Sequence, residues 1–396
     1  MATAVMVAAG ALVLGAGAAA GTARASATVG GGPTWIPNDP GTSSVAGGWQ
    51  ALQWNFADTA DGVHAPQAWA NLIRAGRPGA VGVRIAVLDT GVAYRNWGDF
   101  RKSPDFTGTH FIDPCDLVDG TIRHGRCTDP FALDREGHGT FVTGTIAEAT
   151  NNRIGVTGLA YGATIMPVRV LNAEGWGYPD TVAEGIRYAV AHGAQVINLS
   201  LSFYPGLAAA QIPTLISALA YAHARGVVVV AAAGNDGADR LAYPAADPFV
   251  ISVGASTRDG CLASYSNYGP HLDLLAPGGG DDAPLAEPFC HDNRNLPGIA
   301  QMGFTTPNNP DRFSVTDRSY GTSMAAPEVS AAAAMVIASG VLGPHPSPAA
   351  ILTRLEQTAT QPLPGPVDHR NDLYGYGILN AGAATSPLAD AVTRRR

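Results

Sequence analysis

Four polar residues in this chain stand where apolar runs break off, and each is of a type that can do chemistry. Asp89 ends VRIAVLD, His138 lies between glycines in GHGTFVTG, Asn235 ends VVVVAAAGN, and Ser323 opens an Ala-rich stretch in YGTSMAAPEVSAAAA. A serine becomes a nucleophile when a base takes its proton and a third group orients that base. Acyl transfer also needs donors aimed at the oxyanion that develops. Asp, His and Ser supply the first set and Asn can supply a donor. Taken singly, each has a plainer role. Ser323 suits a helix N-cap, Asp89 a strand-end cap, His138 a satisfied structural imidazole, and Asn235, before Asp-Gly, a turn.

The elements that must position these residues are legible in outline. Short apolar runs, rich in β-branched residues and bounded by Gly or polar residues, occupy 83–88, 164–171, 195–201, 227–233 and 249–253. Such runs suit strands buried on both faces of a parallel sheet. Between them, 180–192 places Val182, Ile186 and Val190 on one helical face, and 211–224 and 347–358 are also helix-like. The alternation predicts an α/β fold: a doubly wound, mainly parallel sheet with helices on both faces, in a single domain over 61–388. Residues 28–60 read as an N-terminal arm of loop, 99–134 and 277–317 as long surface insertions, and 389–396 as a tail. In open α/β sheets ligands bind at the carboxyl ends of strands, and helix starts offer free N–H groups. Asp89, Asn235 and the segment Ser200-Leu201-Ser202 fall at strand ends. His138 and Ser323 fall at helix starts.

Composition narrows the class. The 396 residues are 46% hydrophobic and 14% charged, with 48 Gly and 29 Pro, as in a loop-rich globular protein. Net charge is −8, and the basic residues, of which Lys102 is the only lysine, form no stripe, so nucleic acid is excluded as a partner. Residues 1–27 read as a secretory signal peptide cut after Ala25-Ser26-Ala27, which predicts a secreted, extracellular protein with no stable membrane association. The run at 323–342 contains Pro327 and Glu328 and reads as a buried helix, not a span. The stretch between Ala27 and Pro37 is too short for a folded pro-domain. Cys115, Cys127, Cys261 and Cys290 make an even count in an exported chain, so disulfides are expected. Three pairings are open. Cys115–Cys127, stapling one short polar loop, and Cys261–Cys290 are favoured. No CxxC or HxxxH spacing supports zinc.

The order Asp, His, Ser is the one described for subtilisin. The neighbourhoods match too: VLDTGV, GHGTFVTGTIA, INLSLS, VVVVAAAGN, YPAADPFVISVGA, DLLAPGG and YGTSMAAPEVSAAAA follow in the order of subtilase motifs. Over roughly 35–385 the chain resembles the subtilisin-like serine proteases, nearest to the thermitase-like secreted bacterial type. An α/β-hydrolase would place its serine first, in G-x-S-x-G, and neither feature is present. A silent peptide-binding homologue is the remaining rival, though all four catalytic positions are intact. The resemblance implies a broad endopeptidase in which Asp89 orients His138, His138 deprotonates Ser323, and Asn235 with the Ser323 N–H binds the oxyanion. It implies that Gly175 and Gly177, with Ser200, Leu201 and Ser202, form two edges for an extended peptide, and that Ala232, Ala233 and Gly234 wall a primary pocket favouring apolar side chains. It also implies a structural Ca²⁺ held by Asp39, Asp105 and Asn152 with the carbonyls of Thr150, Ile154 and Val156, oxygen ligation of the kind calcium takes. Protein and peptide substrates and a monomeric state follow from the same resemblance. Three positions depart from the family pattern: Phe141 and Glu328 each replace a His, and Ser202 replaces a Gly. Glu328 is expected near the start of a helix whose first turn includes Pro327, where proline is tolerated and a carboxylate is favoured.

Overall fold

The computed structural model describes residues 33–284, 290, 292–362 and 370–387; the expected signal peptide and tail lie outside them. The principal strands are β1 (Arg84–Asp89), β2 (His110–Phe111), β3 (Cys115–Asp116), β4 (Ile122–Arg123), β5 (Arg126–Cys127), β6 (Thr164–Arg169), β7 (Val196–Leu199), β8 (Val228–Ala232), β9 (Val250–Ser256), β10 (Leu274–Pro277), β11 (Ile299–Phe304) and β12 (Phe313–Ser319). The helices are α1 (Ala65–Arg74), α2 (His138–Ala147), α3 (Pro179–Ala191), α4 (Pro213–Ala224), α5 (Thr322–Ser339), α6 (Pro348–Thr358) and α7 (Ala381–Ala384). The main sheet runs β10-β9-β8-β7-β1-β6-β2, with β3 also on β6, and every pairing in it is parallel.

Side chains leave a strand alternately on its two faces, and both faces here are apolar. Ile85 and Val87 join one core with α1, α2, α5 and α6, while Ala86 and Leu88 join the other with α3 and α4. This is why the strands read as continuous apolar runs and not as alternations. Helix α5 lies within the first core. Every residue from Thr322 to Val336 is buried, and its alanines are small enough to let the helix lie against the sheet. Its end is set by Gly340 in the left-handed region, φ 71°. No helix among the described residues is long and apolar enough to cross a membrane.

Three regions differ from expectation. The segment 277–317 is not a surface insertion throughout, because β11 and β12 form an antiparallel hairpin and every residue of β11 is buried. Ile299 packs with Trp54, Phe141 and Met324, so the replacement of His by Phe at 141 serves an apolar contact. The segment 99–134 is likewise threaded into the interior. Asp105, Phe106, Cys115, Asp116 and Asp134 are all buried, and Asp116 pairs with the buried Arg169 at 2.6 Å. The arm is not simply loop either: single 3₁₀ turns at Gly48–Ala51 and Trp54–Phe56 bury Trp49, Trp54 and Phe56, and Trp49 and Phe56 pack edge-on against Trp69. One-turn elements carry too few residues to show a period. Disulfides join Cys115 to Cys127 and Cys261 to Cys290.

Candidate active site

Strand β1 ends at Asp89, fully buried, and its Oδ1 accepts the Thr90 N–H and lies 2.7 Å from His138 Nδ1. His138 is the first residue of α2, and its Nε2 is buried without a partner among the described residues. The approach of helix to strand depends on the glycine after the histidine. A Cβ on Gly139 would overlap the Gly91 carbonyl oxygen and sit 3.1 Å from the Asp89 Cβ and Oδ1. Burial alone would lower the imidazole's proton affinity. The Asp89 carboxylate, through charge and hydrogen bond, outweighs burial, and Glu136 and Asp134 add to it, so His138 is raised from 6.5 to about 9.

Asp134 organises this helix start and went unnoticed in the sequence. Its Oδ1 accepts from Thr90 Oγ1, Glu136 N and Gly137 N, and its Oδ2 accepts from Thr140 N and Oγ1. Thr90 Oγ1 in turn accepts the Gly139 N–H at 2.9 Å. One carboxylate thereby ties the end of β1 to the first turn of α2. An Asp four residues ahead of a helix-starting His is the capping signal that could have found it.

Ser323 is the second residue of α5 and is 1% exposed. Its Oγ donates to the Ser200 carbonyl at 3.1 Å, and Ser200 Oγ donates to the Ser323 carbonyl at 2.9 Å. The second bond has a specific cause. Pro327 lies inside the helix, not in its first turn as expected, and brings no N–H for the carbonyl four residues back. Ser200 supplies the missing donor. The chain continues through Asn198, whose Nδ2 donates to Ser200 Oγ and whose Oδ1 accepts from Ser330 Oγ, two residues with no sequence signal beyond their polarity in apolar surroundings. Asn235 Oδ1 accepts both Thr322 N and Thr322 Oγ1 at 2.9 Å, which fixes the amide orientation and, among the described residues, leaves its NH₂ group uncommitted beside the Ser323 helix start.

Glu328 also differs from its expected setting. It is a turn beyond the helix start, fully buried, and accepts from Asn55 Nδ2 at 2.6 Å. Among the described residues Asn55 Oδ1 and Glu328 Oε2 are both buried without partners, and burial raises Glu328 well above 4.5. A carboxyl that keeps its proton turns one of these unpartnered acceptors into a donor and avoids a buried charge.

The expected peptide edges lie where the strands end. Ser200, Leu201 and Ser202 follow β7 and are buried. Gly175 (φ 75°) and Gly177 sit in a loop closed by Asn172, whose Oδ1 accepts from Glu174 N and Trp176 N. A Cβ on Gly177 would meet the Val170 carbonyl at 2.6 Å. Ala232 ends β8, and the Ala233 carbonyl accepts from Ala242 N and Asn267 Nδ2, so the wall of Ala232, Ala233 and Gly234 is braced from behind.

The expected calcium ligands also gather. Asp39 and Asp105 are fully buried, and no Lys or Arg pairs with either among the described residues. Asp39 accepts from Asn151 N and Asn152 N, and Asp105 from Asn152 Nδ2 and Val156 N. Asn152 Oδ1 accepts the Ile154 N–H, so the amide presents its nitrogen, not its oxygen, to Asp105. Thr150 Oγ1 donates within its own loop. Burial, with a smaller contribution from the charge of Asp39, raises Asp105 to about 7 against the pull of the Asn152 and Val156 hydrogen bonds. Glu148, just after α2, is fully buried and is raised by burial and by the charges of Asp105 and Asp39, against the pull of the Met302 backbone N–H. No cluster of three His, Cys, Asp or Glu arranged for a metal occurs among the described residues. Two buried, like-charged carboxylates with no Lys or Arg partner among the described residues still fit a hard cation completed by carbonyl oxygens, provided the Asn152 amide turns its oxygen inward.

The sequence profile of the subtilase family matches residues 80–377. The chain belongs to the subtilase family. Subtilisin BL of Lederbergia lenta is 36% identical over 304 residues, covering 77% of this chain and 91% of that protein. An alkaline protease of Shouchella clausii is 34% identical, covering 89% of this chain and 74% of its own length. Among solved structures, a protease from Pseudoalteromonas arctica superposes with a TM-score of 0.67 at 30% identity, covering 89% of this subtilase and 99% of that chain. This subtilase is a serine endopeptidase, and its fold is the mainly parallel α/β sheet of that family.

Proposed function

We propose that this subtilase cleaves peptide bonds through Asp89, His138 and Ser323, with an acyl-enzyme on Ser323. The observation that carries the reading is the Asp89–His138 pair at 2.7 Å, which commits Nδ1 and leaves Nε2 open. Asp89 holds the imidazole in one tautomer and stabilises its charged form. His138 takes the Ser323 proton and returns it to the leaving amine. In the resting arrangement Ser323 Oγ is held by the Ser200 carbonyl. A peptide that adds as a strand along Ser200-Leu201-Ser202 brings its own N–H to that carbonyl and frees the hydroxyl to turn toward His138. The Asn235 NH₂ and the Ser323 N–H then receive the oxyanion.

Gly175 and Gly177 form the opposite edge, and the small side chains of Ala232 and Ala233 with Gly234 leave an uncharged primary pocket, so cleavage is broad and favours bulky apolar residues. Calcium would be held by Asp39 and Asp105 with the carbonyls of Thr150, Ile154 and Val156, and with Asn152 once its amide turns its oxygen inward; it would neutralise the two buried carboxylates. The chain acts outside the cell as a monomer after loss of residues 1–27, a reading supported by the Ala25-Ser26-Ala27 pattern and the two disulfides. A fluorophosphonate probe tests the core of the reading. Labelling of the wild type that disappears in Ser323→Ala is expected, and an unlabelled folded wild type would overturn it. Cleavage-site mapping on a peptide library tests the pocket, and cuts unbiased toward apolar residues would refute that preference.

A further inference from the structure

Glu136 is left over by the triad. It lies two residues before His138, in the turn entering α2, and its Oε2 accepts the His138 backbone N–H at 2.6 Å. The free amides entering this helix are shared among three acceptors: Asp134 takes Glu136, Gly137 and Thr140, Glu136 takes His138, and Thr90 Oγ1 takes Gly139. An orphan amide at a helix start needs only an acceptor, and an uncharged one suffices. A carboxylate adds a charge. Glu136 forms no ion pair with Lys or Arg among the described residues, and the positive charge that acts on it is that of the His138 imidazole. The ionisable groups that act on the His138 ring are Asp89 from β1 and Asp134 and Glu136 from this turn. Burial favours the neutral form of Glu136, and the charge of His138 opposes that.

We propose that Glu136 is a positioning residue for the reaction: its carboxylate fixes the main chain of His138, and its negative charge, added to that of Asp89, favours the imidazolium formed as Ser323 gives up its proton. The inference rests on the reading of His138 as the general base. It separates the two roles of the side chain, because Glu136→Gln keeps an acceptor for the amide and removes the charge, whereas Glu136→Asp keeps the charge.

Wild type, E136Q and E136D are titrated with a fluorophosphonate probe, and kcat/KM is then followed against pH. All three proteins are expected to label. The acid limb of E136Q is expected to fall by roughly 0.5–1 pH unit, the size of a single charge acting across a few ångströms of partly solvated protein. E136D is expected to track the wild type, and the shift is expected to shrink as salt is raised. NMR titration of the His138 imidazole in a Ser323→Ala background reads the same shift without turnover, so a slowed enzyme cannot mask it. Labelling with superimposable acid limbs in wild type and E136Q removes the role of Glu136 and leaves the triad standing. An unlabelled wild type removes both.

Discussion

Replacing Glu328 by Gln should stabilise this protein, and increasingly so as pH rises. The carboxyl is fully buried and accepts from Asn55 Nδ2 at 2.6 Å, and among the described residues Asn55 Oδ1 and Glu328 Oε2 lack a donor. Burial therefore holds the folded-state pKa well above 4.5. The sign follows from linkage. A raised carboxyl binds its proton more tightly in the folded chain, so its favourable contribution is complete below the unfolded value and is lost as pH climbs toward the folded one. While the folded protein keeps the proton, each pH unit above about 4.5 costs about 1.4 kcal/mol, and the interval from pH 5 to pH 8 costs about 4 kcal/mol at most. A glutamine has the same shape, accepts from Asn55 Nδ2 and brings a donor N–H to the buried site with no proton to lose. The assay is thermal or urea unfolding of E328Q against Glu328, both in a Ser323→Ala background to prevent self-digestion, from pH 5 to pH 8. Taking the difference between the two proteins cancels every other titrating group. The two should be close in stability at pH 5, with E328Q ahead by several degrees in Tm at pH 8. An E328Q that is less stable at pH 8, or a difference that does not change with pH, would falsify the protonated-pair account.

Three further outcomes follow from the site. Asn235→Ala should lower kcat with little change in KM; the loss seen on subtilisin for such a donor, roughly 10²–10³-fold, is the size carried over here, and an unchanged kcat in steady-state assays would remove Asn235 from the oxyanion site. Gly139→Ala should cost about 1–3 kcal/mol by overpacking and depress kcat, because the new methyl group meets the Gly91 carbonyl and the Asp89 side chain; unfolding curves that overlay the wild type would refute the close approach. Chelation should lower the wild-type Tm, by an amount equivalent to about 2.7 kcal/mol if the site is held at one hundred times its Kd, and should affect Asp105→Asn much less; calorimetry showing equal shifts would place any metal elsewhere.

Much of the arrangement was legible because it rests on local chemistry. The five apolar runs became β1, β6, β7, β8 and β9 within a few residues of their read boundaries, since strands buried on both faces must be apolar throughout. The hairpin of β11 and β12 was misread as surface because its strands are separated by a polar turn and carry Gly, Gln and Asp, so nothing local shows that β11 lies against α2. The 3₁₀ turns of the arm escaped for a related reason, their burial being decided by Trp69 and by the Gly298 carbonyl far along the chain.

The sequence by itself determined the fold class, the order of Asp89, His138 and Ser323, and their seats at strand and helix ends, because strand period, glycine placement and helix-start chemistry act over a few residues. Only the tertiary structure decided the rest. It placed Pro327 inside α5, so that the Ser323 carbonyl turns to Ser200, and it set Glu328 against Asn55, 273 residues away in the chain. It made Asp134 the tie between strand and helix and put the charge of Glu136 at the backbone of His138. These are contacts between buried polar groups, and which donor meets which acceptor is fixed by packing that no local pattern encodes.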